Sequence, residues 1–154
     1  MAFLIMLHVL GAVLFLGNIV TAAFWKIAAE RAGDVGHLSR TARNVMLADY
    51  AFTLPGIVLL LATGVVMAVR VGYAMDAWNW MTASIGLFAL SGLVWLAILI
   101  PAQRSMMKES AAAARAQAAL SPQYRRASRR WDVFGTLVIL MPLAVLYLML
   151  NKPF

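Results

Sequence analysis

The chain has no cysteine, two histidines and few charges: only 12% of its 154 residues are Asp, Glu, Lys or Arg. Without cysteine there is no disulfide, no thiolate metal site, no CxxCH haem attachment and no cysteine nucleophile. The lack says nothing about compartment. There is also no HExxH, P-loop or GxGxxG segment and no nucleophile–base pair, so no enzyme class has a motif of its own here. What fills the chain is apolar. Hydrophobic residues make up 64% of it, whereas a soluble domain has about half apolar and about a quarter charged residues.

The apolar residues fall into four blocks: Ala2–Trp25, Leu47–Val69, Trp78–Ile100 and Trp131–Leu150. Each is long enough for a helix crossing a hydrocarbon core of roughly 30 Å, which takes about 20 residues. Only helices or closed barrels satisfy their backbone inside a bilayer, and the blocks lack a period-two alternation. The expectation is an all-α, single-domain membrane protein over residues 1–154, a bundle of four transmembrane helices. The first block has no Lys or Arg ahead of its apolar run and is too long for a signal-peptide core, so it reads as a retained helix. Residues 101–130 read as a helical extension: ESAAAARAQAAL favours helix, and Ser121–Pro122 is a cap and first-turn signal for the last helix.

Charge sets the orientation. Lys26, Arg31, Arg40 and Arg43 lie between the first two blocks, and Arg104, Lys108, Arg115, Arg125, Arg126, Arg129 and Arg130 between the last two. The opposite side has only Arg70 and Lys152. Loops rich in Lys and Arg stay cytoplasmic, which puts both termini outside, meaning the periplasm if the cell is Gram-negative; the expected location is a bacterial inner (cytoplasmic) membrane. The formal charge of +7 is accounted for by this topology and by anionic headgroups. The partner it implies is the lipid bilayer, not nucleic acid, with self-association or a larger membrane complex left open.

Polar residues inside the blocks mark candidate sites. At 100° per residue, His8, Gly11, Phe15, Asn18 and Ala22 share one stripe about 80° wide. Asp49, Thr53, Gly56, Leu60, Thr63, Gly64 and Met67 share another, as do Ser84, Phe88, Ser91 and Trp95. Small and polar stripes face neighbouring helices, and Pro55–Gly56 should loosen or kink the second helix. His8 lies roughly 9 Å below the outer surface at 1.5 Å per residue, and the other histidine, His37, falls in a basic loop. One reading is a b-type haem with His8 on the iron, Met67 as a second axial ligand, and Arg70 and Lys152 on the propionates. A second is a structural His8 hydrogen-bonded to Thr63 or a carbonyl, with Arg70 and Lys152 snorkelling to headgroups. A third is Cu(I) on His8 with thioethers of Met67, Met75, Met81 or Met149. On the basic side, Asp49 and Asp132 read as acids near helix starts, favoured by the helix dipole and neutralised by Arg43, Arg129 and Arg130. The functional alternative is a proton relay through Asp49, Thr53 and Asn18.

The stretch VMLADYAFTLPGIVLLLATG, residues 45–64, with LHVLGAVLFLGN before it and YLMLNKPF at the end, resembles a family of bacterial predicted integral membrane proteins of unknown function. The likeness covers essentially the whole chain. More distantly, the LH of the first helix and the closing KPF resemble the HemJ-type protoporphyrinogen oxidases and the CopD-like copper-resistance proteins. The first of these resemblances implies haem at His8. HemJ-type proteins also carry His and Lys in the helix corresponding to WNWMTASIGLFAL, which has neither here, so their oxidase activity does not carry over. The leading expectation is a haem-binding bundle for electron transfer or haem handling. The alternatives are a cofactor-free accessory or scaffolding subunit and a Cu(I) binder.

The basic asymmetry generates a topology prediction. Reporter fusions at Gly36 and Ala113 should read cytoplasmic, and fusions at Tyr73 or after the C-terminus external. A C-terminal fusion active in the cytoplasm would reverse the assignment.

Overall fold

Local signals punctuate the chain into four long helices. Gly33 takes a left-handed conformation, φ 72°, and its N–H returns to the Glu30 carbonyl, an ending that suits a residue without Cβ. The next residue, Asp34, accepts from the amides of Gly36 and His37. Those donors, His37 foremost, hold the Asp34 carboxyl below the usual carboxylate range. Farther along, Asn79 and Thr82 form a reciprocal capping box, and Ser121 caps Tyr124 ahead of Pro122. In the computed structural model, which describes residues 1–73 and 76–153, these signals bound α1 (Ala2–Ala32), α2 (Val35–Val71), α3 (Trp80–Ala116) and α4 (Pro122–Asn151). All four are long and apolar enough to cross a membrane, and no strand occurs among the described residues. The second helix starts at Val35, well ahead of its apolar block, because the Asp34 cap and not hydropathy sets its beginning.

Two helices widen by one residue in mid-course. Asp49–Thr53 in α2 and Trp95–Leu99 in α3 are π-turns, in which Leu54 N–H reaches the Asp49 carbonyl and Ile100 N–H reaches that of Trp95. Each stops one residue short of a proline, Pro55 or Pro101. A proline inside a helix has no N–H to give and its ring collides with the carbonyl four residues back. A wider turn relieves the collision. Pro55–Gly56 thus loosens α2, as its sequence suggests. The same device at Pro101 is the structure's addition.

The helices pack as two pairs. The second half of α2 lies on α1, and the first half of α3 lies on α4, while these two half-helices do not approach each other closely. The pairs meet at the basic end, where Val35–Ala48 packs on Ile100–Ala116 and Leu38, Trp95, Leu99, Met106, Tyr124 and Trp131 form the main apolar core. A smaller cluster, Ala68, Trp80 and Met81 with Tyr73 and Met149 beside it, closes the opposite end.

The α1–α2 crossing is backbone on backbone. A Cβ on Gly56 would stand 2.9 Å from both the Gly11 carbonyl oxygen and the Phe15 nitrogen. Gly56→Ala should therefore lower the melting point in detergent, by about 1–3 kcal/mol of overpacking. Gly92→Ala, where nothing lies within 4 Å, should not. Equal melting of the two variants would show that the crossing is looser than described.

Candidate functional site

The splay of the two pairs leaves a cleft of about 600 Å³ in the half of the bundle away from the basic end. His8 of α1 stands in its wall, with Gly64 of α2 across from it, Ser84 and Phe88 from α3, and Pro142 and Met149 from α4. His8 is half-buried, and its Nδ1 lies 2.8 Å from Thr63 Oγ1. Thr63 spends its own hydroxyl proton on the Leu59 carbonyl, 2.5 Å away. The threonine oxygen can then only accept, so Nδ1 carries the ring proton. The Leu60 carbonyl, on the same turn of α2, is a second acceptor beside the ring. A neutral imidazole protonated on Nδ1 keeps its lone pair on Nε2, and a fixed Nδ1–H partner is what orients a histidine for ligation. Gly64 makes the close approach possible: a Cβ there would sit 3.3 Å from His8 Cε1. Of the alternatives open in the sequence, the His8–Thr63 hydrogen bond is present, and it leaves a ligand atom available.

The other residues expected around His8 are dispersed. Met67 is half-buried and does not line the cleft. At its level Ala68 takes the inward position and packs with Trp80 and Met81. Met81 and Met149 do line the cleft. Met75 lies outside the described residues. Arg70 is exposed in the last turn of α2 and pairs with no described acid. Lys152 is exposed, with Nζ 5.5 Å from the centre of the Trp80 ring, and does not line the cleft.

Toward the basic end a second polar constellation is fully assembled. Asn18 Nδ2 donates to Asp49 Oδ1 at 2.9 Å and to Thr53 Oγ1 at 2.8 Å, and Thr53 Oγ1 donates to the same Asp49 oxygen at 3.0 Å. All three are buried. Trp95, from the π-turn of α3, and Gln103 lie within electrostatic reach of the carboxylate. Gln103 is 2% exposed, and both of its side-chain polar atoms lack a hydrogen bond among the described residues. The expected neutralisation by arginine is not what is found. Asp49 sits in mid-helix, because α2 starts at Val35, so no helix N-terminus is nearby, and no described cation pairs with it. Asp132 likewise lies inside α4, and its partner is Lys26, Nζ to Oδ1 2.6 Å, rather than Arg129 or Arg130.

Lys26 is the functional-looking residue that sequence reasoning passed over. It is 3% exposed and holds Glu30 at 2.9 Å and Ser128 at 2.7 Å besides Asp132. The spacing of Lys26 and Glu30, one helical turn, was a visible signal for a pair. Nothing in the sequence marks Gln103.

Among the described residues no group of three His, Cys, Asp or Glu is placed to hold a metal. The arrangement offers one imidazole lone pair in an apolar cleft, and separately a carboxylate held by neutral donors. Asp49→Asn keeps the Oδ1 acceptor and should retain nearly the wild-type melting point. Asp49→Leu leaves Asn18 and Thr53 donors unmatched and should cost about 1–3 kcal/mol. Matching melting curves for the two in detergent would mean that the hydrogen bonds contribute nothing.

No curated protein and no solved structure matches the chain, so the distant likeness to HemJ-type and CopD-like proteins rests on its few residues alone. A family match does cover residues 2–153. It agrees with four helices long and apolar enough to cross a membrane, and the chain belongs to the family described as predicted integral membrane protein (DUF2269).

Proposed function

We propose that this multi-pass membrane protein holds a b-type haem in the cleft between its helix pairs, with His8 as the iron ligand. The observation that carries the reading is the hydrogen bond from His8 Nδ1 to Thr63, which leaves Nε2 as a lone-pair donor in the cleft wall. The cleft volume of about 600 Å³ falls in the range of roughly 300–1,000 Å³ that holds small molecules and cofactors. Its apolar walls exclude water, and Phe15 and Phe88, in edge contact at 5.5 Å between centroids, give it aromatic surface. Met81 and Met149 are better placed than Met67 for a second axial position, a role methionine commonly fills. Lys152 and Arg70, both at the end of the bundle that holds the cleft, would face the propionates. Bound haem would supply one-electron transfer. The chain's own part is to fix the imidazole tautomer, to shield the ring and to place cations at the wet edge.

A second reading is Cu(I) held by His8 with the same two thioethers, which share the cleft with it; soft sulfur ligands select that ion. The third, a cofactor-free accessory subunit, gives the cleft to a helix of another chain.

The visible spectrum of protein purified from haem-replete cells distinguishes them. Haem predicts a Soret band with α and β bands on reduction. His8→Ala should abolish it, and Thr63→Val should weaken haem affinity by about 10–100-fold through loss of the orienting partner. Arg70→Ala and Lys152→Ala should weaken retention less, since an exposed ion pair is worth about 0–1 kcal/mol. A colourless preparation carrying copper favours the second reading, and one carrying neither favours the third. An unchanged ratio of Soret to protein absorbance in His8→Ala would remove His8 as the ligand.

A further inference from the structure

A second cavity, about 890 Å³, opens at the basic end between α3 and α4. It is divided by depth. Ala97 and Ile98 of α3 and Val133 and Phe134 of α4 line its apolar half, inside the two membrane blocks. The α3 side of that half is part of the π-turn Trp95–Leu99, so the widened turn forms the floor. Beyond the blocks, Arg126, Arg129 and Arg130 line the other half. Their spacing along α4 puts all three on one side of the helix.

These arginines are uncommitted. None makes a hydrogen bond or ion pair with a described residue, and no acid lines the cavity. The acids that could have served are engaged elsewhere: Asp132 and Glu30 by Lys26, and Glu109 by Ser121 at 2.6 Å. Three guanidinium groups around one recess focus a positive potential there, and guanidinium is the side chain suited to bidentate contact with phosphate.

We propose that this recess is a binding site for one anionic phospholipid, with its phosphate on Arg126, Arg129 and Arg130 and an acyl chain against Ile98, Val133 and Phe134. Charge complementarity selects the headgroup, and the apolar half selects a molecule that also has a tail. A free phosphate or a nucleotide would match the arginines but leave the apolar half unfilled. A zwitterionic lipid would bring its ammonium group among three cations. Basic pockets between transmembrane helices are a recurrent place for such headgroups. The site is separate from the His8 cleft and does not depend on the haem reading.

The test uses the full-length protein in detergent, with lipid binding followed by native mass spectrometry and by thermal shift. The probes are dioleoyl phosphatidylglycerol, dioleoyl phosphatidylcholine and inorganic phosphate. Phosphatidylglycerol should bind about tenfold or more tightly than phosphatidylcholine, and Arg126→Gln/Arg129→Gln/Arg130→Gln should remove that preference. Arg40→Gln/Arg43→Gln, which removes charge from the same end but not from the recess, should keep it. Inorganic phosphate should neither stabilise the protein nor displace the lipid. If the triple variant does not fold, the single variants Arg126→Gln and Arg129→Gln carry the comparison. Equal binding of the two lipids, retained preference in the arginine variants, equal loss in Arg40→Gln/Arg43→Gln, or displacement by inorganic phosphate would each overturn the proposal.

Discussion

Lys26 is a buried ammonium on a helix that otherwise reads as a membrane span, and its three donors are all taken. It meets Glu30 one turn along α1 and Asp132 and Ser128 on α4. Ser128 and Tyr124 in turn both donate to Glu30 Oε1, and Nζ stands 5.6 Å from the Trp131 ring centre. This network fixes α1 against α4, which otherwise touch little. Taking an ammonium out of water is costly unless every proton has an acceptor, and here the cost is met only when the two helices are in this register. Asp132 is about half open and Glu30 about a quarter, so water screens part of the attraction. The network therefore specifies a relative position more than it adds stability. With the pairs joined broadly at the basic end, and elsewhere touching through Phe15–Phe88 and the small Ala68–Trp80–Met81 cluster, the gap between them follows.

The two prolines shape what the join leaves. Each π-turn is a local answer to a missing donor, yet each also serves the interior. Asp49 and Thr53 both point inward from one, and Trp95 and Leu99 from the other. An ordinary helix would rotate the residues beyond the turn by a further 100°, so inserting a residue changes which face of α2 reaches α1. Gly56, directly after, then comes against Gly11 at backbone distance, and Thr63 arrives at His8. The polar centre and the cleft histidine are thus placed by the same irregularity.

The four spans were legible because hydrophobic blocks of that length have one stable arrangement in a bilayer. The gathering of Asn18, Asp49 and Thr53 was legible as well, since polar residues on helical stripes must face protein. The environment of Asp49 was not. Its expected dipole and arginine partners assumed that α2 began where hydropathy rises, whereas the Asp34 cap starts it earlier and carries Asp49 into the helix interior. Lys26 reads as a loop cation in the sequence, which cannot show that α1 continues past the membrane edge with Ser128 and Asp132 waiting on α4. Met67 shares the polar stripe of its helix in the sequence, but which methionines reach the cleft depends on where Ala68 and Trp80 seal it. That is a property of packing, which no single helix encodes.

The separation of the second half of α2 from the first half of α3, which touch through Ala68 against Trp80 and Met81, has a further consequence. The cleft is bordered by residues that face outward, among them Val13, Val65 and Leu146, 63%, 49% and 41% exposed. It therefore opens sideways, in the plane of the bilayer. A lipophilic molecule entering it would come by lateral diffusion within the bilayer, without first crossing water. Its occupancy would then be governed by mole fraction among the lipids rather than by aqueous concentration, with the annular lipids as its competitors.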